Sequence, residues 1–257
     1  MAKWVDFPHA NARYEYTPAT LKKRWSRLHR GDCEPFPTND AVVAAWIDFH
    51  AGRFGEAIER GLAAGPDGTC VANKAACVYA EYLEPSATRK AKLFQEAGAR
   101  AEAQQARAPK NCNAFYLYAF AIGRYSQGIS VAKALAQGLG GKVRDALTRT
   151  IALQPKHADA HIALGTFHAE VVDKVGAMIA GVTYGAKREE AFRLFRRAIE
   201  LNPDSAIARI EFANALAMLD GKKALKEAEA LYAQAAQCEA FDAMERLDVE
   251  AAREELE

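Results

Sequence analysis

Three prolines set the frame of this chain. Pro109, Pro155 and Pro203 stand 46 and 48 residues apart, and the residues around them keep step. Nine and ten positions after each proline comes a larger residue followed by a small one: Tyr118-Ala119, Leu164-Gly165 and Phe212-Ala213. Thirteen positions after each lie Ile122, His168 and Leu216, about one turn further along the same helix face. Upstream of Pro203, Ala198, Phe195 and Ala191 alternate small, large and small at helical spacing, and Thr150, Leu147 and Val143 hold the same offsets before Pro155. Such a pattern predicts one helix docking onto another at a close crossing. Proline then stops the unit, because it lacks an N–H and biases the preceding residue away from helix. A single unit of this kind cannot bury its own apolar face, so a period near this length predicts a stacked array.

On these residues the chain resembles the tetratricopeptide repeat (TPR) family. Ala191 to Pro203 looks like the second helix and terminating turn of that family, and His161, Leu164, Gly165 and His168 fall at its first-helix positions. The likeness is strongest over residues 142–238 and fair over 40–141. It departs in length, because the family repeat is about 34 residues. Much of the excess falls between Gly165 and Ala191, where helices longer by about two turns each would absorb it. The elongated unit, with Gly181-Val182-Thr183-Tyr184-Gly185 before its second helix, is similar to the repeat proteins associated with tripartite transporters and to the regulator of microtubule dynamics family. That resemblance implies long helices around a concavity able to accommodate an apolar ligand.

The expected fold is therefore all-α: a right-handed superhelical stack of at least ten helices in antiparallel pairs, with no sheet. Residues 1–39 form a basic, aromatic-rich arm that packs on the array, and residues 40–257 form the repeat domain of five units plus a C-terminal capping helix. Pro8, Pro18, Pro35 and Pro37 punctuate the arm, which carries Trp4, Phe7, Tyr14, Tyr16 and Trp25. The cap is read over Phe241 to Glu255, with Phe241, Met244, Leu247 and Val249/Ala252 on its inner stripe.

Charge excludes some functions. A net charge of +1 over 257 residues argues against a dedicated nucleic-acid protein. The distribution is polar nonetheless. Residues 1–30 hold seven Lys/Arg, Lys3 among them, against two acids (+5), whereas residues 239–257 hold eight acids against two arginines (−6). Five cysteines without a Cys-x-x-Cys pair fit reduced thiols and a cytoplasmic home. The opening Met-Ala-Lys-Trp-Val-Asp-Phe-Pro has no apolar run resembling a signal peptide. The charge-free stretch from Val175 to Ala186 is too short for a membrane span.

Two constellations look like chemistry and read better as structure. His157, His161 and His168, with Asp159 and Glu170, have metal-like spacing, but His161 and His168 occupy packing positions of the repeat. Gly138-Leu139-Gly140-Gly141-Lys142 lacks the first glycine of a phosphate-binding loop, has Val143 where Ser or Thr is needed, and follows no strand; it reads as a turn. No nucleophile, base and orienting acid stand together. Neither catalysis, metal nor cofactor is expected.

In the resembled family, ligands meet the first-helix faces lining the concave groove. Carried over by register, that face holds Asn73, Glu81, Tyr116, Phe120, Arg124, Thr166, Glu170 and Asn214. Glu81, Arg124 and Glu170 share one register position in successive units, which predicts a ladder of alternating charge. The leading expectation is a non-catalytic scaffold binding a peptide or protein segment. The alternative is a binder of a small apolar or anionic ligand in a cavity near Phe120, Val175 to Tyr184 and Ile210.

Overall fold

The computed structural model describes residues 4–257, and of Val131 the backbone alone; Lys3 of the basic arm lies outside the described residues. The chain folds into helices, with no strand among the described residues. Its contacts divide it into two compact units. Unit 1 comprises Met1–His29, Glu34–Leu153 and Phe241–Met244; unit 2 comprises Arg30–Cys33, Gln154–Ala240 and Glu245–Glu257.

Unit 1 holds α1 (Pro18–Leu28), then the hairpin of α2 (Asp40–His50) and α3 (Phe54–Ala63). The next hairpin is α4 (Thr69–Tyr82) with α5 (Ala87–Arg107). It is followed by α6 (Cys112–Gln127), the short α7 (Val131–Ala136) and α8 (Leu139–Leu153), where α8 packs back on α6. Within unit 2, α9 (Ala158–Val175) leads through α10 (Ala177–Ile179) and a π-helical turn (Ala180–Tyr184) to α11 (Arg188–Leu201). A last hairpin, α12 (Ala206–Asp220) with α13 (Leu225–Ala236), precedes α14 (Ala243–Glu254).

The proline register marks real boundaries. Helices α5, α8 and α11 end two residues before Pro109, Pro155 and Pro203, and α6, α9 and α12 begin three residues after them. The residue two places after each proline is the N-cap: Asn111, His157 and Ser205. Each accepts a hydrogen bond from the first turn, satisfying an N–H that the helix itself cannot. At the close crossing of α9 and α11, Gly165 faces the ring of Phe195, which is wholly buried with Ala191 and Ala198.

Two expectations are corrected. The excess length after Gly165 is not taken up by two continuous long helices: α9 stops at Val175 because Gly176 turns to φ 79°, and Gly185 closes the inserted segment at φ 65°. Neither angle is open to a residue inside a helix. The final helix starts at Ala243 rather than Phe241. Phe241 is withheld from it because Arg13, Arg24 and Arg27 surround its ring at 5.9, 5.4 and 4.7 Å, while the Tyr16 hydroxyl donates to its carbonyl at 2.7 Å. Beside it, His50 Nδ1 and Asp242 Oδ2 meet at 2.7 Å, both sealed from solvent. Within unit 1 the arginines of the basic arm thus meet Phe241.

The aromatics of residues 4–25 are seated on α2, α3 and α4. Trp4 meets Tyr79 edge-on at 4.9 Å, Phe7 meets Phe54 at 6.3 Å, and Trp25 meets Trp46 at 5.6 Å. Glycine is required beneath two of them: a Cβ on Gly55 would lie 2.3 Å from the Trp4 ring, and one on Gly52 would lie 2.5 Å from Phe7. Among the described residues no helix is long and apolar enough to cross a membrane.

Candidate functional site

Helix α4 is packed on every side. From Thr69 to Ala80 each residue is buried, so Asn73 and Cys77 are enclosed, and the helix emerges only at Glu81. Asn73 Oδ1 accepts from Arg100 Nε at 2.8 Å, whereas Asn73 Nδ2 is buried without an acceptor. One turn along, burial pushes the Cys77 thiol up to about 12; Arg100 and Arg124 pull against that shift and Glu81 adds to it. Burial also lowers the Arg100 guanidinium from its ordinary value, opposed by Glu96 and Cys77. Two cations and a carboxylate therefore converge around one neutral thiol.

Helix α6 supplies the more open face. Tyr116, Phe120 and Arg124 recur every four residues and so lie along one stripe. Tyr116 is buried, and its ring stands 6.1 Å from that of Phe120, which is half-buried. Arg124 Nε lies 3.6 Å from Glu81 Oε2, with both side chains about a quarter exposed, and Arg124 Nη1 donates to Gln127 Oε1 at 3.1 Å.

The candidate residues divide between the units. Asn73, Glu81, Tyr116, Phe120 and Arg124 lie in unit 1, and Thr166, Glu170 and Asn214 in unit 2. The first rung of the charge ladder, Glu81 with Arg124, is formed. In unit 2, Glu170 is paired with Lys174 at 2.9 Å, an i,i+4 bridge along α9. Thr166 donates to Glu211 Oε2 at 3.1 Å, and Asn214 Oδ1 accepts from the Tyr232 hydroxyl. Burial, then Glu255 and Glu211, raises Tyr232 above the ordinary phenol value.

The histidines serve the backbone. His157 Nδ1 accepts from Ala160 N at 3.1 Å as the cap of α9, His161 Nδ1 lies 2.9 Å from the His157 carbonyl, and His168 Nδ1 accepts from Lys187 N at 3.0 Å. Burial, the largest influence, lowers His161 below the usual imidazole range. Among the described residues no group of three or more His, Cys, Asp or Glu is placed to hold a metal ion.

Register reasoning missed Arg100, which sits four residues after Glu96 on α5 and reads from sequence as half of a solvated pair. It also misplaced the segment from Val175 to Tyr184. Met178 and Val182 are more than four-fifths exposed, so they wall no cavity.

Comparison with known proteins places this architecture. The family model described as regulator of microtubule dynamics protein 1-3 matches residues 67–256. The crystal structure of a thermophilic TPR protein from Thermus thermophilus superposes with a TM-score of 0.58 at 16% identity, covering 83% of this chain and 97% of that one. A search of the curated proteins returns no match.

Proposed function

Because this chain belongs to the regulator of microtubule dynamics family and has a TPR-like helical repeat fold, we propose that it is a non-catalytic scaffold binding an extended segment of a partner protein along first-helix faces. The α6 stripe carries the reading. Tyr116 anchors Phe120, which offers apolar area at its edge, and Arg124 ends the stripe with a planar donor beside Glu81 and Gln127. Aromatic and arginine side chains of this kind dominate binding energy where they are partly pre-packed. Arg124 is the donor for an acidic group of the partner, because its fork binds a carboxylate bidentately. Within unit 2, Thr166, Glu170 and Asn214 offer polar groups on first-helix faces of their own. A photocrosslinking residue at Phe120 tests this directly. A protein adduct that is lost with Tyr116→Ala supports the reading, and the absence of any protein adduct rejects it. The family description names microtubule dynamics, so tubulin is the first partner to offer.

A second reading, capture of a small anionic molecule, draws on the amide of Asn73 that is buried without an acceptor beside the Arg100 guanidinium. Buried donors of this kind ordinarily have partners. Native mass spectrometry of the purified chain distinguishes the two, since a retained small anion would favour the second.

A further inference from the structure

Arg100 is a half-buried cation without a salt bridge among the described residues. It lies on α5, a second helix, and so falls outside the first-helix register that places Arg124. Its Nε donates to Asn73 Oδ1 at 2.8 Å, and nothing among the described residues takes up its terminal nitrogens. Glu96, one turn back on α5, lies 3.8 Å from Lys92, and Glu81 lies 3.6 Å from Arg124. Burial outweighs what Glu96 and Cys77 return to the Arg100 guanidinium, which stays below its ordinary value. Arginines so enclosed are ordinarily paired with an anion.

Asn73 shows how the cation is held. It is wholly sealed, and its Nδ2 has no acceptor, an orphaned donor that costs stability. A carboxylate at this position would pair with Arg100 outright. The amide instead pins Nε and leaves the charge uncompensated, with the Nη1 and Nη2 edge of the fork still to be satisfied. Helices α4, α5 and α6 follow one another through short turns and pack in that order, so α4 and α6 run the same way. Since Glu81 meets Arg124, one turn back brings Phe120 level with Cys77, and one more brings Tyr116 level with Asn73. Arg100 and Arg124 both act on Cys77, so the two guanidinia flank the same turn of α4.

Within the small-anion reading, on which this rests, we propose that Arg100, positioned by Asn73, receives the carboxylate of a small free acid whose apolar body lies toward Phe120. The charge balance selects a monoanion. Arg100 has no carboxylate of its own to answer, whereas Arg124 already faces Glu81 and leaves little charge for a dianion such as phosphate. A planar carboxylate matches the fork of a guanidinium fixed at Nε, and an aromatic edge beside it suits an apolar body.

The test uses the full chain and calorimetric titration with benzoate and with inorganic phosphate at one ionic strength. Benzoate should bind the parent, and phosphate should bind it more weakly. Arg100→Gln should weaken benzoate by about tenfold or more, since charge-assisted bonds are lost. Asn73→Asp should do the same by another route, because it keeps the shape of the side chain and gives Arg100 an internal carboxylate. Circular dichroism checks the fold of each variant, and if Asn73→Asp does not fold, Arg100→Gln decides alone. Equal affinities of the parent and Arg100→Gln overturn the proposal and leave the small anion to another site. Phosphate bound as tightly as benzoate overturns the class of ligand. No benzoate binding by the parent also overturns the proposal, whereas the small-anion reading falls only if native mass spectrometry retains no anion either. An acidic peptide that binds the parent where benzoate does not would assign Arg100 to a protein partner, against the proposal.

Discussion

A Cβ placed on Gly165 would lie 3.0 Å from Cζ of Phe195, so α9 and α11 cross there with nothing between backbone and ring. Phe195 is itself sealed in the core and stacked on Phe212 at 5.5 Å. A Cβ there asks the ring to give by a few tenths of an ångström, and a longer side chain asks for far more. Gly165→Ala should therefore be tolerated with a small loss, because a few tenths of an ångström suffice, whereas Gly165→Leu should lower stability by about 1–3 kcal/mol or more through overpacking. Denaturant midpoints of the two variants check this; equal midpoints would place the crossing elsewhere.

His157 stands where the neighbouring repeats have Asn111 and Ser205, and it does their work with an imidazole nitrogen. His157→Asn should keep the cap of α9, while His157→Ala should cost about 1 kcal/mol or more. Thermal melts of the parent and both variants provide the comparison.

Cys77 is enclosed, with its thiol pushed up to about 12 by burial. In the native state it should resist thiol reagents at neutral pH and react only after unfolding. The linkage sign follows from the raised value. Below the unfolded pKa of about 8.5 both states are protonated and the contribution is fully present. Above it the unfolded thiol ionises first, and stability falls as pH climbs towards 12. Cys77→Ala should remove that part of the alkaline slope, which urea titrations at increasing pH will measure.

Arg124 is three-quarters covered, lies 3.6 Å from Glu81 and donates to Gln127, and it is the proposed donor to an acidic partner. Arg124→Lys should change the melting temperature little, since a partly solvated pair contributes only about 0–1 kcal/mol. It should weaken an acidic partner segment by about tenfold, because the planar fork is lost. Calorimetric titration of an identified segment against both proteins decides the matter; equal affinities would assign Arg124 to the scaffold.

Much of the frame was legible because it is local. Proline and a small residue at the crossing are each set by their own neighbours in sequence, so Pro155 and Gly165 could be read in order, whereas the cap at His157 emerged only from the fold. The segment from Val175 to Ala186 was less legible, since it has the composition of a core segment and only the left-handed turns at Gly176 and Gly185 send it outward. Enclosure of Asn73 and Cys77 depends on what packs around α4, and no spacing within α4 reports that. Arg100 was missed for the same reason. Its partner Asn73 lies 27 residues away, on the helix before it.

The bond from Tyr16 to the carbonyl of Phe241 joins residues 225 apart, and that from His50 to Asp242 spans 192. A repeat array ordinarily gains stability from each neighbour in turn and can fold from any point outward. Here the first hairpin is not complete until Phe241 and Asp242 have been made. During synthesis, Trp25, Trp46 and His50 must wait with one wall of their environment missing, and closing so long a loop is slow. Nascent chains stalled before residue 241 should therefore be bound by chaperones and cut by proteases in their earliest hairpin, far from the point of stalling.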